Sequence, residues 1–203
     1  MKDLVIIGVG GFGREAYYLA KEIGNWNIKG YLGNYGDDPH RYKIDLPLLG
    51  VIEEYHPSEN EVFALGIADP KKKEKFVTIL ASKGAEFVSL IHPLARINET
   101  AIIGEGCVIG GSTTVGDCSV IGNYVHLAGS MIGQDVVIGD YSTTTGFTNV
   151  PTAKIGKRVF LGSHSVILSN VGDDAYVSAG SVVITKVKPG TRVFGNPAKN
   201  MDF

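Results

Sequence analysis

The sequence predicts two domains: a small α/β domain over residues 1–90 and a parallel β-helix over residues 91–203. Two observations support this division. Strand-like and helix-like segments alternate in the first part of the chain, as in a Rossmann-like domain with a small parallel sheet. From residue 97 onwards the pattern changes to a repeat of six residues, which fits neither the period of a helix nor that of a simple strand.

In the first domain, short apolar runs predict strands over residues 4–8, 28–32, 62–67 and 87–91. Apolar residues at helical spacing predict two helices, over residues 14–23 and 71–83. Because strands and helices alternate, we expect a parallel sheet covered by these helices.

The repeat of the second domain consists of an aliphatic residue followed by glycine. The pairs are Ile103-Gly104, Ile109-Gly110, Val115-Gly116, Ile121-Gly122, Ile132-Gly133, Ile138-Gly139, Ile155-Gly156, Leu161-Gly162 and Val171-Gly172. We expect the aliphatic residue to point into a triangular interior and the small residue four places later to pack beside it. We expect the glycine to adopt positive φ where the chain bends. With about 18 residues per coil, about five coils fit before Pro189.

The register of the repeat slips between Ile121 and Ile132 and again between Val150 and Ile155. Such slips predict loops on the surface of the β-helix, where ligands often bind.

Composition excludes several classes of function. The formal net charge of −2 does not favour nucleic acid as the main partner. Cys107 and Cys118 show no metal-ligand spacing, so no metal site is expected. The N-terminus is typical of a buried strand and not of a signal peptide, and no run approaches the roughly 20 apolar residues of a transmembrane helix. These features predict a cytoplasmic protein.

A glycine-rich segment, Gly8-Val9-Gly10-Gly11-Phe12-Gly13, separates the first strand from the first helix. Its spacing fits a loop whose backbone N–H groups hold a phosphate at a helix N-terminus. A dinucleotide-binding domain would also carry an acidic residue at the end of the second strand, where this chain has residues 31–34, YLGN. The segment therefore does not favour a nicotinamide cofactor.

Four features occur in order along the chain: the glycine-rich strand-turn-helix, the linker LIHPLARI at 90–97, the hexapeptide repeat, and the ending VFGNPAKNM at 193–201. With them the chain resembles the bacterial sugar acyltransferases that include sialic acid O-acetyltransferases and bacillosamine-type sugar N-acetyltransferases. The resemblance implies a homotrimer of left-handed parallel β-helices with active sites between adjacent copies. It also implies acetyl-CoA as the acyl donor and a free or nucleotide-linked sugar as the acceptor, in cell-surface glycan biosynthesis.

In that family a histidine followed by an acidic residue removes the proton from the attacking amine or hydroxyl. Residues 131–139 resemble this segment, with Gln134 at the histidine position and Asp135 at the acidic one. A carboxamide is not basic near neutral pH, so Gln134 can position a substrate but cannot be the general base. Three replacements are open: His126, which is nearest the slip and is the first choice, His164, and Asp135 itself. A catalytically silent trimer that keeps the CoA groove or the sugar pocket, and a structural solenoid with a regulatory nucleotide site, are the alternatives.

The resemblance also implies positions for the ligands. Thr143 stands where a second family histidine contacts the acyl-CoA, and Ser163 and Ala179 stand where backbone faces the pantetheine arm. Lys157 and Arg158 belong to a basic cluster that could bind the phosphates of CoA or could be a solvated edge. The implied sugar-nucleotide pocket is edged by Gly11, Phe12, Gly13, Gly33, Asn34 and Gly66.

Overall fold

The structure is a computed structural model that describes residues 1–201. The N-terminal elements are β1 (Asp3–Ile7), α1 (Gly11–Ile23), β2 (Asn27–Gly33), a 3-10 turn (Pro39–Tyr42), β3 (Leu48–Val51), β4 (Glu61–Leu65), α2 (Pro70–Ala81) and β5 (Glu86–Phe87). All five strands are parallel, in the order β3-β2-β1-β4-β5. The predicted α/β fold is confirmed, but the sequence analysis missed β3. The single strand predicted over residues 87–91 is in fact two strands, β5 in this sheet and Leu90–Ile91 in the β-helix.

The two helices end and begin at residues suited to those positions. Helix α1 stops at Gly24, which has the left-handed conformation common after a helix C-terminus. Helix α2 begins with Pro70 after Asp69, whose side chain accepts a hydrogen bond from the N–H of Lys72. Because the chain order places both helix N-termini directly after parallel strands, they lie at the same edge of the sheet.

The second domain is a parallel β-helix with three faces. Face 1 contains β6 (Leu90–Ile91), β9 (Val108–Ile109), β12 (His126–Leu127), β15 (Thr143–Thr144), β18 (Phe160–Leu161), β20 (Tyr176–Val177) and β22 (Arg192–Phe194), with β23 (Lys199–Asn200) antiparallel at its end. Face 2 contains β7 (Arg96–Ile97), β10 (Thr114–Val115), β13 (Met131–Ile132), β16 (Asn149–Val150), β19 (Val166–Ile167) and β21 (Val182–Val183). Face 3 contains β8 (Ile102–Ile103), β11 (Val120–Ile121), β14 (Val137–Ile138) and β17 (Lys154–Ile155), and single bridges at Val171 and Val187 continue it.

Three corners join these faces. Corner A connects face 1 to face 2, as at residues 145–148; corner B connects face 2 to face 3, as at residues 133–136; corner C connects face 3 to face 1, as at residues 139–142. Because the first coil begins at Leu90 and not at Ile97, the described residues form six coils where about five were expected.

The slips of the repeat do not form loops, which corrects the expectation from the sequence. The strand starting at His126 is followed by one starting at Met131, five residues later, and the ladder continues through both. The same shortening separates Asn149 from Lys154. A corner one residue tighter absorbs each slip, so no loop emerges from the β-helix at these points.

The repeat glycines serve a different purpose from the one expected. None of the repeat glycines has a positive φ. A side chain at Gly133 would instead place its Cβ 2.1 Å from the carbonyl oxygen of Pro151 in the next coil, and the Cβ at Gly116 would lie 2.6 Å from the carbonyl carbon of Gly133. The positive φ falls two residues later, on residues such as Asp135 and His164. Glycine is therefore required because successive coils approach closely.

The interior follows the expected pattern. The aliphatic members of the repeat form one buried cluster, and the small residues four places on, including Ser119 and Ser142, are buried beside them. Their hydroxyls bridge coils, since Ser119 donates to the carbonyl oxygen of Gly133 at 2.7 Å and Ser142 to that of Gly156 at 2.9 Å. Small polar residues fit here because a hydroxyl can bond the neighbouring coil, although that of Ser165 has no partner among the described residues.

The N-terminal domain packs against face 1 in the coils nearest the start of the β-helix, and against corner C. Val108 of face 1 belongs to the apolar cluster around α1, and Tyr124 and Tyr141 of corner C pack against the cluster around α2. In residues 1–201 no helix is long and apolar enough to cross a membrane.

Candidate functional site

A cleft of about 300 Å³ lies at the carboxyl edge of the N-terminal sheet. Gly10 follows β1, Asn34 follows β2 and Gly66 follows β4, and all three line it. Helix α1 starts beside the cleft at Gly11, and its N-cap residue Gly10 has no side chain to satisfy the first N–H groups. An uncapped helix N-terminus at the edge of a parallel sheet can bind an anionic group.

The glycine-rich loop is shaped by close contact with the rest of this edge. A Cβ at Gly13 would lie 1.9 Å from the carbonyl oxygen of Gly8, and one at Gly66 would lie 2.4 Å from the Cα of Gly13. Both glycines are therefore needed to bring the loops after β1 and β4 together, which is one of the roles expected from the G-x-G-x-x-G spacing.

An acidic residue does occupy the end of β2, although the sequence there shows none. The carboxylate of Asp37 turns back and accepts a hydrogen bond of 2.7 Å from the N–H of Asn34. A Cβ at Gly33 would lie 2.7 Å from the same carboxylate oxygen. The turn through Gly36, which has a φ of 84°, makes this return possible. Asp37 thus stands where a nucleotide-binding domain places its acidic residue. The only sequence feature that could have predicted this is the Gly36-Asp37 pair in the turn after β2.

Helix α2 supplies the opposite wall of the cleft. Asp69 and Lys72 from its first turn line the cleft, together with the apolar residues Val9, Ile52 and Phe76. The sequence analysis named Val9 only as part of the glycine-rich segment and assigned none of these five residues to the pocket. The cleft therefore combines an apolar surface with one cation and two carboxylates.

Of the substrate residues expected from the sequence, Asn34 and Gly66 line the cleft and Gly11 and Gly13 stand at its edge on α1. Gly33 lies behind Asp37. Phe12 does not line the cleft, because its ring packs edge-on against His126 with the ring centroids 4.5 Å apart.

Gln134 and Asp135 lie at corner B and are both exposed. Gln134 borders a depression of about 410 Å³ on face 2, beside Met131, Asn149 and Pro151. Asp135 occupies the left-handed corner position with a φ of 55°. Corner B is opposite face 1, where the N-terminal domain packs, so the fold of one chain does not bring Gln134 to the cleft.

His126 does not occupy a position suited to a general base. It is 1% exposed, and neither ring nitrogen has a hydrogen-bond partner among the described residues. Its Nε2 atom lies 3.8 Å from the carboxylate of Glu15 on α1. Burial lowers the pKa of His126 below its usual value. Since α1 covers the ring, an acceptor amine or hydroxyl has no access to it, and the first-choice base of the sequence analysis is corrected.

His164 is accessible, in contrast to His126. It is exposed at corner A and stacks on the ring of Phe147, with centroids 5.1 Å apart. Ser163 lies beside it and hydrogen-bonds Thr145 at 2.9 Å, and the backbone of Ala179 lies directly above Gly162 in the next coil. Corner A therefore presents His164, Ser163 and Ala179 along one edge.

Thr143 and Arg158 are occupied by contacts with the N-terminal domain. Thr143 is buried on face 1, and its hydroxyl donates to the carbonyl oxygen of Ala68 at 2.7 Å. Arg158 binds both carboxylate oxygens of Asp174 at 2.9 Å and reaches Glu74 of α2 at 3.1 Å. The hydrogen bonds from Arg158 lower the pKa of Asp174. Within one chain, neither residue is free for CoA, contrary to the expectation.

Lys157 pairs with Asp140 at 2.7 Å, but its side chain is about half exposed. An exposed ion pair of this kind contributes little to stability and can be exchanged for another anion. Among the described residues, no group of three or more His, Cys, Asp or Glu side chains could hold a metal ion.

Two sequence families match parts of the chain. Residues 3–80 match the family described as PglD N-terminal domain, and residues 152–185 match the hexapeptide repeat of succinyl-transferase. No curated protein has a significant sequence match.

Solved structures match the chain over its whole length. The acetyltransferase domain of PglB from Neisseria gonorrhoeae is 23% identical, with a TM-score of 0.90 over 99% of this chain and 100% of that one. A mutant of perosamine N-acetyltransferase from Caulobacter crescentus, in complex with CoA and GDP-perosamine, is 20% identical with a TM-score of 0.90 over 100% and 98%. WeeI from Acinetobacter baumannii is 24% identical with a TM-score of 0.82 over 99% and 100%. The chain therefore has the fold of the bacterial sugar acetyltransferases, a PglD-type N-terminal domain followed by a left-handed hexapeptide β-helix.

Proposed function

We propose that the protein is an acetyl-CoA-dependent acyltransferase that acylates an amino or hydroxyl group of a nucleotide-linked sugar, in cytoplasmic steps of cell-surface glycan biosynthesis. The observation that carries this proposal is the whole-chain match to an N-acetyltransferase whose structure holds CoA and GDP-perosamine. A related structure, of the PglB acetyltransferase domain, holds acetyl coenzyme A.

The cleft of the N-terminal domain fits the nucleotide of the acceptor. A diphosphate at the start of α1 would accept hydrogen bonds from the free N–H groups there. The carboxylate of Asp37 is placed to accept from ribose hydroxyls. The apolar side chains of Val9, Ile52 and Phe76 offer a surface for the nucleobase of the acceptor.

We propose that the donor and the acceptor meet between two copies of the chain. Ser163 and Ala179, expected beside the pantetheine arm, lie at corner A, whereas Gln134 lies at corner B on the other side of face 2. A site containing both corners therefore needs a neighbouring copy. Faces 2 and 3 also expose Met131, Ile102 and Val120, which are 58%, 62% and 38% exposed. Apolar surface of this kind fits the packing of β-helices into the homotrimer we propose.

In the reaction, the lone pair of the sugar amine or hydroxyl attacks the thioester carbonyl. The base takes the proton, and the CoA thiolate leaves. We assign the base to His164, because it is accessible and lies beside Ser163 at the donor's edge. Gln134 and Asp135 of the adjacent copy then orient the acceptor, and Lys157 receives a phosphate of CoA by exchange with Asp140.

A second candidate is a catalytically silent trimer that binds the same ligands. The exposed carboxamide of Gln134 at the family's base position favours this alternative, because it cannot accept the proton. The two readings share their binding sites and differ only in turnover.

The test incubates the protein with acetyl-CoA and each of a panel of UDP-, dTDP-, CMP- and GDP-linked sugars. Release of free CoA thiol and thermal shift are measured together. Turnover with one sugar, reduced about 100-fold by His164→Ala but not by His56→Ala in an exposed loop, supports the enzyme. Stabilisation without thiol release supports the silent binder. No shift and no release with millimolar acetyl-CoA contradicts both.

A further inference from the structure

Lys73 on α2 has no exposed surface, although lysine is rarely buried without a carboxylate partner. Its Nζ atom donates to two backbone carbonyls of corner C, those of Tyr124 at 3.0 Å and Ser142 at 2.9 Å. These carbonyls belong to successive coils of the β-helix. The side chain thus attaches the helix that forms one wall of the cleft to the second domain.

The two acceptors match a neutral amine better than an ammonium group. A neutral lysine has two N–H donors, whereas the ammonium has three. The third donor has no partner among the described residues, and a buried, unpaired donor on a charged group is costly. Burial accordingly lowers the pKa of Lys73 to about 7, against weaker opposing effects of Cys107 and Asp69.

His126 presents the same problem in the same interface. It is buried beneath α1, its two ring nitrogens lack partners, and protonation would give it two donors facing only Glu15 at 3.8 Å. Lys73 is close enough that its charge further lowers the pKa of His126. Protonated Lys73 and His126 would therefore repel each other within the domain contact.

We propose that Lys73 and His126 make the docking of the N-terminal domain on the β-helix proton-linked, so that the cleft wall is held firmly in alkaline conditions and loosens as the pH falls. The cleft is affected because α2 carries Asp69 and Lys72, and because the Thr143–Ala68 hydrogen bond lies on the neighbouring strand of face 1. Arg158, which also joins α2 to corner C through Glu74, stays charged through this range because its hydrogen bonds with Asp174 raise its pKa, and so it does not contribute to the linkage.

The pKa shifts define two pH windows. Undocked Lys73 has the ordinary pKa of 10.5 and docked Lys73 one of about 7, so the undocked state binds more protons between these values and docking weakens as pH falls from 10.5 to 7. Docked His126 has a pKa below 6.5, so its contribution is lost as pH falls below 6.5. Within each window the ratio of open to docked states rises by up to about tenfold for each pH unit lost.

Hydrogen exchange of α2 and of the first turn of α1, corrected for intrinsic rates, measures that ratio from pH 5 to 9. For the wild-type protein we expect protection of α2 to rise up to about tenfold per unit from pH 7 to 9, with the interior strands of face 2 unchanged. Lys73→Met should remove the dependence above pH 7, and His126→Phe the dependence below pH 6.5. The matched control is Lys75→Met on the same helix, since Lys75 is 58% exposed and should leave both windows intact.

A flat wild-type profile between pH 7 and 9 overturns the proposal, as does a Lys73→Met variant that keeps the wild-type slope. If Lys73→Met does not fold, the wild-type profile decides: a slope confined to α1 and α2 supports the proposal, and the same slope in face 2 overturns it by showing a global effect.

Discussion

The hydroxyl of Thr143 donates a hydrogen bond of 2.7 Å to the carbonyl oxygen of Ala68, joining face 1 of the β-helix to the loop that borders the cleft. Thr143 is fully buried, whereas Ala68 is partly buried and lines the cleft. A position that a family resemblance assigns to acyl-CoA is therefore used in this chain to set the cleft against the β-helix.

Thr143→Val should lower the free energy of unfolding by about 0.5–1.5 kcal/mol, because it removes the hydrogen bond to the partly buried carbonyl of Ala68. Urea denaturation measures the change. Thr152→Val is the control, since Thr152 is exposed and should shift stability by less than about 0.5 kcal/mol. Equal effects of the two variants would show that the Thr143–Ala68 hydrogen bond does not contribute measurably to the free energy of unfolding.

Asp37→Asn should weaken binding of a nucleotide-linked sugar about 10- to 100-fold, because a charged acceptor contributes more to hydrogen bonds with ribose hydroxyls than a neutral amide. Calorimetric titration measures this with the sugar nucleotide identified by the panel assay. Acetyl-CoA affinity should not change, and Asp45→Asn at an exposed site is the matched control. Unchanged sugar-nucleotide affinity in Asp37→Asn would place the ribose elsewhere.

In a His164→Ala background, Gln134→His should raise the turnover number about 100-fold or more, because it introduces a general base that this background lacks, at the position where the resemblance expects one. The gain should increase with pH through about 6.5, as the imidazole loses its proton. Initial rates of CoA release across pH 5.5–8.5 measure it, with Gln134→Asn as a control that adds no base. No gain, with sugar binding intact, would mean that corner B does not face the acceptor.

Gly133→Ala should destabilise the protein by about 1–3 kcal/mol, because its Cβ would overlap the carbonyl oxygen of Pro151 at 2.1 Å and force two coils apart. Gly146→Ala is the matched control: the nearest atom to its Cβ lies at 3.9 Å, and its φ is not positive. Thermal unfolding compares the two. If they were equally stable, close stacking of coils would not explain the repeat glycines.

Protonation of Glu61 should lower the free energy of unfolding in acid. Glu61 is 3% exposed, and although burial alone would raise its pKa, hydrogen bonds from Lys29, the Ser58 N–H and Tyr55 hold that pKa below the usual 4.5. A lowered pKa means that the contribution is complete above pH 4.5 and is lost as pH falls through the folded value. Urea titrations from pH 6 to 3 should show a smaller loss in Glu61→Gln than in the exposed control Glu59→Gln. Identical losses would assign acid sensitivity to other carboxylates.

The amino-acid sequence by itself determines the β-helix and most of its interior. A six-residue repeat with an aliphatic residue before each glycine leaves one way to bury every aliphatic side chain, and the structure buries Ile121, Ile138 and Ile155 on one stack accordingly. Alternation of strands and helices likewise predicts the parallel sheet, and the glycine spacing marks the loop beside the cleft. These features depend on residues near one another in the chain.

Only the tertiary structure decides which side chains serve the site. Asp37 reaches the end of β2 because a turn folds it back, and His126 is closed off because α1, more than 100 positions earlier, lies over it. Lys73 meets carbonyls 51 and 69 residues away, and the repeat glycines are required by atoms of the next coil. Each of these outcomes is set by a distance between segments remote in sequence, and local pattern and propensity carry no information about such distances until the coils and the N-terminal domain have packed.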